Sequence, residues 1–388
     1  MHTSIPDGFA DTVPAMRAAH ERILTALDAA GITVATFPTR LPGPDERGRA
    51  AARAYPMQGV LKYHGLADWA YRTAFLPSIS LNNDAAHTVT LVEFDPRLPA
   101  DEVRFGGQPA RGRELERIVR ILDAVRALGG ARVAARVTTR NVFKARIAGK
   151  GLGTSAAGAA ALAAAAVGAL YGPELVANTR FLSCIARLLA GSGCRATAGG
   201  LALWLSYPGI AHQDSFAVRL DGADQFADVR LITVPIDSRI GLQTEQAHHD
   251  APHSSFFKAW MLSRGEEILE CLSAAQRGDW RVVGQLAELD SMRLHGVTMS
   301  GSREQKLIGW EPENITIFRM CNTLRAQGIP VYASTDTGPT VVLITHREHE
   351  EAVSAAVAAL GLESVRGRIA GPATLIDIDA ARAELEAG

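Results

Sequence analysis

Apolar positions along this chain follow two rhythms, one of 3.6 residues and one of two, interrupted by glycine-rich and proline-rich stretches. Val13 to Ala30 sets Met16, Ile23, Leu24 and Leu27 at helical spacing. The next stretch, TFPTRLPGPDERGRAA, is rich in Pro, Gly and charge, as linkers are. Residues 1–55 are therefore expected to form a helical extension and linker. From Tyr55 the pattern changes: AYPMQGVLKYHGLADWAYRTAFLPSISL holds apolar residues around Lys62 and Tyr63, and HTVTLVEF alternates with period two as a strand. A lysine inside an apolar run is costly unless its ammonium is paired or faces a cleft. The competing reading is an edge-strand lysine that snorkels to solvent. Glu114 to Leu128 predicts an amphipathic helix with Leu115, Ile118, Val119, Leu122 and Val125 on its inner face.

The stretch from Asn141 to Gly172, NVFKARIAGKGLGTSAAGAAALAAAAVGALYG, organises the rest. A strand-like run (Val142, Phe143, Ala145, Ile147) passes through Gly149, Gly151 and Gly153 into an alanine-rich segment of high helix propensity. A glycine-rich turn thus feeds a helix N-terminus, where unpartnered N–H groups and the positive end of the helix dipole suit a phosphate. Thr154 and Ser155 add hydroxyls there, and Gly172 is a C-terminal stop. The GxxxxGK[ST] order of a Walker A loop is absent, and Lys150 lies inside the glycine cluster, so a nucleotide site here is of another kind.

Further on, LLAGSGCRATAGGLALWLSYPG carries Ser192 and Arg195 three apart, close enough on a helical turn to face one anion. A guanidinium donates two parallel hydrogen bonds to a carboxylate or phosphate. DVRLITVPIDSRIGL reads as a strand entering a loop near Arg239, which sets a boundary between residues 56–225 and 226–388. Ser254 to Leu272, Trp280 to Met292 and Ile315 to Gln327 are expected helices, with LHGVTMSG after the second and the strand pair PVYASTDTGPTVVLIT after the third. Asp336 sits at the turn of that pair, as a turn former or a catalytic carboxylate. His248, His249 and His253 are close in sequence, but Pro252 interrupts the turn and no third ligand follows, so a mobile polar loop is expected rather than a metal site.

Composition removes several function classes. Forty Lys+Arg against 41 Asp+Glu leave a formal net charge of -1, without the basic excess that grips a nucleic-acid backbone. Cys184, Cys194, Cys271 and Cys321 form no CxxC pair, which fits a reducing cytoplasm. The first twenty residues lack the basic and apolar regions of a signal peptide, and the apolar run Ala156 to Leu170 is short for a bilayer.

Four of these segments resemble the GHMP kinase superfamily and, within it, the mevalonate diphosphate decarboxylase family. IAGKGLGTSAAG is similar to the family's PxxxGLxSSAAG, with Ile147 for the proline and Thr154 for the first serine. Lys62-Tyr63-His64-Gly65-Leu66 is similar to KYWGK, Ser192-Gly193-Cys194-Arg195 to SACR, and Thr335-Asp336-Thr337-Gly338-Pro339-Thr340 to FDAGPN. The resemblance runs from about Tyr55 to the C-terminus in the family's order. It implies an α+β, two-domain GHMP kinase fold with a cleft between a ribosomal-protein-S5-like N-terminal domain and an α/β-plait-like C-terminal domain. It also implies ATP and Mg²⁺ as co-substrate and ion, and a homodimer. The S5-like fold permits a nucleic-acid-binding module, but the near-neutral charge and the complete site argue against one, and no membrane partner is expected. By position, Asp336 is the base or orienting group, Lys62 its partner and Arg195 the anchor of the substrate carboxylate. Gly151, Gly153, Thr154 and Ser155 hold ATP phosphates, and Ser155 also contacts the metal. Lys150 either joins them or is solvated. Leu66 replaces the final lysine of KYWGK, so the expected substrate is mevalonate 5-phosphate, gripped by Tyr63, Ser192 and Arg239. The alternative is 5-diphosphomevalonate, with Arg239 or Lys150 supplying the missing charge; a kinase that stops at the 3-phosphate is a third.

Overall fold

A computed structural model describes residues 2–144, 152–222, 224–238, 244–304 and 306–387. Three sheets carry the architecture. The first has six strands in the order β16 (Thr374–Ile376), β1 (Arg49–Ala54), β6 (Ala86–Phe94), β9 (Ala135–Phe143), β7 (Glu102–Phe105) and β8 (Gln108–Pro109). The second runs β11 (Ala217–Arg219), β10 (Leu201–Trp204), β5 (Ser78–Asn82), β2 (Met57–Leu61). The third runs β13 (Tyr332–Thr335), β14 (Val341–His346), β12 (Val229–Val234), β15 (Val365–Arg368). A small hairpin, β3 (Leu66–Asp68) and β4 (Thr73–Ala74), lies beside the second sheet.

The alanine-rich helix α3 (Thr154–Tyr171) is apolar on every face and packs between the first sheet, α2 (Gly112–Gly129), α5 (Thr179–Arg187) and α6 (Gly193–Ala198). A helix hydrophobic all round belongs in a core. Although its length and composition would cross a bilayer, 78% of it is buried inside the fold. Small side chains set how closely it approaches: a Cβ on Gly168 would meet Leu375 and Ala50, and one on Gly48 would strike the Ala169 carbonyl.

The first 55 residues are not an extension. β1 lies inside the first sheet, between β16 and β6, with Ala51 opposite Ile376 on one side and Leu91 on the other. Its sequence, RAAARA, hides a strand because alanine is depleted in strands, yet only small residues fit under α3. Helix α1 (Val13–Ala29) packs along α8 (Phe257–Gln276), and its Ile23 and Leu27 share one core with Ile268 and Leu272. The expected boundary near residue 225 is also bridged. That same core joins Val60, Ile79 and Leu203 of the second sheet to Leu231, Val342 and Ile344 of the third, and β16 returns from the C-terminal end to the first sheet. Helix α9 (Trp280–Ser300) continues past its expected end at Met292 through LHGVTMS, because Leu294, His295, Val297 and Thr298 are buried on its inner face. It lies across the line where β2 and β13, edge strands of two sheets, meet.

Candidate active site

The edge strand β2 is the axis of the site. The Gly59 N–H points at the Asp336 carboxylate, 3.2 and 3.3 Å from its two oxygens. The carbonyl of the same glycine accepts from Lys62 Nζ at 2.9 Å and from Ser334 Oγ at 2.7 Å. Lys62 Nζ also donates to the Ala287 carbonyl and to Ser334 Oγ, both at 3.0 Å. Lys62 is buried, so the snorkelling alternative does not hold. Only glycine fits between these groups: a Cβ at position 59 would lie 2.6 Å from Asp336 Oδ1 and 2.8 Å from Lys62 Cγ. Enclosure by protein pushes the Asp336 carboxyl above its ordinary range, opposed by the Lys62 and Arg195 charges. Burial holds Lys62 down to about 8, opposed first by Asp336 and then by Asp290.

Beneath this pair sits a dry ionic support. Asp290 on α9 receives the Lys62 backbone N–H, the Trp260 indole N–H at 2.7 Å and both its oxygens' bonds from Arg264 Nη2 at 3.0 Å. The Arg264 and Asp290 side chains are both 0% exposed. Replacing Asp290 by Ala would leave the buried Arg264 guanidinium with Glu267 alone, 3.5 Å from its Nη1, and the Lys62 and Trp260 N–H groups without their acceptor, at a cost of about 3–5 kcal/mol. Urea unfolding of Asp290→Ala, read against wild type, checks this. Above it, His295 Nε2 lies 2.8 Å from the Asp336 carbonyl, which can only accept, so that nitrogen carries the proton. Burial keeps the ring neutral, with its pKa lowered to about 3. Trp310 closes the far side, 4.5 Å from the His295 ring and donating to Thr335 Oγ1 at 3.2 Å.

Arg195 projects from the short helix α6 and is 2% exposed. Its two terminal nitrogens donate to Ser78 Oγ and to Met57 Sδ, and its Nε is buried with no partner. The guanidinium lies over the Tyr63 ring, 5.3 Å from its centroid. Tyr63 in turn hydrogen-bonds Ser192, and its hydroxyl rests on Gly191, where a Cβ would be 2.7 Å away. Arg195 and Asp336 therefore approach the same strand, at Met57 and at Gly59. Residues two apart in a strand share a face about 7 Å apart.

The mouth of α3 joins the strand at Met57 too. Gly153, with φ +70°, is its N-cap, and a Cβ there would lie 2.7 Å from the Met57 carbonyl. A cavity of about 360 Å³ opens beside it, lined by Thr154, Ser155 and Gly158, by apolar Phe105, Ile118 and Leu162, and by Arg113 and Arg117. Apolar walls with hydroxyls and a helix N-terminus at one end suit a nucleotide, base inward and phosphates at Thr154 and Ser155. Among the described residues no group of three or more His, Cys, Asp or Glu could hold a metal alone. A divalent ion here would be shared between nucleotide phosphates and Ser155. Lys150, Gly151 and Arg239 lie outside the described residues.

Residues 54–217 match the diphosphomevalonate decarboxylase-like N-terminal domain. Phosphomevalonate decarboxylase of Haloferax volcanii is 35% identical over 330 residues, covering 85% of this chain and 98% of that protein. The chain belongs to the diphosphomevalonate decarboxylase family. The crystal structure of mevalonate diphosphate decarboxylase from Staphylococcus aureus superposes with a TM-score of 0.78 at 26% identity, covering 85% of this chain and 98% of that one. A structure of MDDEF in complex with MVAPP, AMPPCP and magnesium gives 0.76 at 25% identity, covering 85% and 99%. The α+β GHMP kinase fold is thus that of the family.

Against this family frame, three findings lie beyond the sequence reading. Gly59 and Ser334, which hold Lys62 and Asp336, carry no charge and sit in an apolar run and a strand, so nothing marked them. Asp290 is one acid among several polar residues of the expected helix from Trp280 to Met292, and nothing in the sequence singles it out. The expected mobile loop of histidines is instead helix α7 (Thr244–Asp250). His248 accepts the Gly65 N–H at 3.1 Å and stacks on Tyr63 at 5.5 Å, while His249 stacks on Trp69 at 3.9 Å. Imidazoles that pack on aromatic rings order the segment that a polar sequence suggests is loose.

Proposed function

We propose that the chain catalyses the ATP-dependent decarboxylation of mevalonate 5-phosphate to isopentenyl phosphate, with ADP, phosphate and CO₂ as the other products. The observation that carries this reading is the convergence of Asp336, Lys62 and Arg195 on β2, next to the mouth of α3. Arg195 anchors the substrate carboxylate through its unpartnered N–H. Asp336 receives or orients the proton of the tertiary hydroxyl, and Lys62 balances the charge that develops on that oxygen. Thr154 and Ser155, with Gly151, Gly153 and Lys150, hold the nucleotide phosphates, and Ser155 contacts Mg²⁺. Bound there, the nucleotide supplies the phosphoryl group that turns the 3-hydroxyl into a leaving group. As the C3–O bond breaks, the C1–C2 bond releases CO₂ and its electron pair becomes the alkene. Tyr63, Ser192 and Arg239 grip the 5-phosphate.

Leu66 supports the monophosphate, because it is buried in β3 and an apolar side chain cannot neutralise a second phosphate. Rates of CO₂ release from mevalonate 5-phosphate and from 5-diphosphomevalonate under equal conditions test this; preference for the diphosphate would overturn it. A stable 3-phosphorylated product without CO₂ would place the chain with the 3-kinases instead. The four cysteines, all free and buried, support a cytoplasmic enzyme, and we extend the reading to a homodimer, which light scattering would test.

The two shifted groups predict a pH profile for kcat/KM. Asp336 must be ionised, so activity rises with pH through its elevated pKa. Lys62 must be charged, so activity falls again as pH passes about 8. Arginine stays protonated throughout, so Lys62→Arg is expected to move the basic limb upward even where the plateau falls.

A further inference from the structure

A second group of cations stands at the site with almost no acid to answer it. Arg72, in the turn joining β3 to β4, is the one non-glycine residue with positive φ among the described residues, at +52°. A long side chain rarely adopts that conformation, and it persists where its surroundings fix it. They do so here: the buried Arg187 donates from Nε to the Tyr71 carbonyl at 2.9 Å, and Asp68 Oδ1 accepts the Tyr71 N–H at 2.8 Å. The turn therefore presents Arg72 in one direction.

Its Nε is buried with no hydrogen-bond partner, and among the described residues Arg72 forms no ion pair. Its charged or ionisable neighbours are Tyr63, Arg113, Arg117 and Arg120. Among the described residues Arg113 is ion-paired with Glu245 of α7, and Glu114 is the acid that acts on Arg117. Arg117 Nη2 is tied to the Leu189 carbonyl at 3.2 Å, three residues before Ser192. Burial and mutual repulsion push both Arg72 and Arg117 below the ordinary guanidinium range, which is the cost of gathering unpaired like charges. An anion relieves that cost. Arg72 and Arg195 lie about the same tyrosine, so one molecule could reach the carboxylate anchor at one end and Arg72 at the other.

We propose that Arg72 joins Tyr63 and Ser192 as the seat of the substrate's single 5-phosphate. This assignment rests on the reading of the chain as a phosphomevalonate decarboxylase. Arg72→Gly is the informative variant, because glycine accepts φ +52° without strain while the guanidinium is lost. The full-length variant is expected to unfold at a temperature no lower than wild type. Its KM for mevalonate 5-phosphate should rise about tenfold or more, with KM for ATP within about twofold, and Arg72→Lys should recover part of the loss. A merely structural arginine would move Tm and leave the KM ratio alone. The proposal is overturned by an unchanged KM for the phosphorylated substrate, or by a rise confined to ATP, which would assign Arg72 to the nucleotide. Should wild type prefer the diphosphate, the parent reading fails. Calorimetric binding of mevalonate 5-phosphate to wild type and Arg72→Gly then still decides this assignment: equal affinities refute it, and weaker binding by the variant supports it.

Discussion

Asp336→Asn is expected to lower kcat by about two to four orders of magnitude, the range for removing a general base. Nucleotide affinity should stay close to wild type. The substitution is nearly isosteric, and the amide oxygen can still accept the Gly59 N–H that positions the carboxylate. What disappears is the proton acceptor and its charge. Lys62 makes no direct bond to Asp336; its ammonium instead holds the Gly59 and Ala287 carbonyls and Ser334 Oγ, all neutral acceptors. The lysine is therefore fixed in place without the aspartate, and the geometry around the substrate hydroxyl should survive the change. Its charge is less well kept, because Asp336 is the largest influence opposing the effect of burial on Lys62. In Asp336→Asn the basic limb of any residual activity should therefore shift to lower pH. Steady-state kinetics with nucleotide titration measures all three quantities. Turnover near the wild-type value would show that the reacting centre lies elsewhere.

What could be read in the sequence was local, and what could not was made by distant pairing. Helix α3 announced itself because glycines before a run of alanines give a start signal and a propensity that agree. Lys62, Arg195 and Asp336 stood out because a charge among apolar or small residues needs a reason. In contrast, β1 is a strand only because β6 and β16 flank it, the latter more than 300 residues away, and its alanines give no strand signal. The Arg264–Asp290 pair was invisible for a related reason. Each is one polar residue on a long helix, and only the packing of α8 on α9 turns both inward. Gly59 shows the limit most clearly. Its place between a carboxylate and an ammonium follows from β13 lying against β2, and no pattern within either strand encodes that.

Arg195→Lys should lower kcat/KM by about 10²–10³-fold, or about 3–4 kcal/mol at 1.4 kcal/mol per decade. The charge is conserved, so the loss measures the shape of the guanidinium. One terminal nitrogen is committed to Ser78 Oγ and the other to Met57 Sδ, which leaves Nε and the outer edge of the fork for the substrate carboxylate. A lysine ammonium has three donors at a single point. It cannot span Ser78 and Met57 while also reaching a ligand, and a charge-assisted hydrogen bond lost in this way is worth about 1.5–3 kcal/mol. The flat face over Tyr63 is lost as well, so the ring that separates the carboxylate end from the phosphate end loses its support. Most of the effect should therefore appear in KM for the phosphorylated substrate, with a smaller part in kcat, because a loosely held carboxylate leaves along the wrong direction. If Arg195→Lys instead kept KM and lost only kcat, the arginine would be acting on the departing phosphate rather than on the carboxylate.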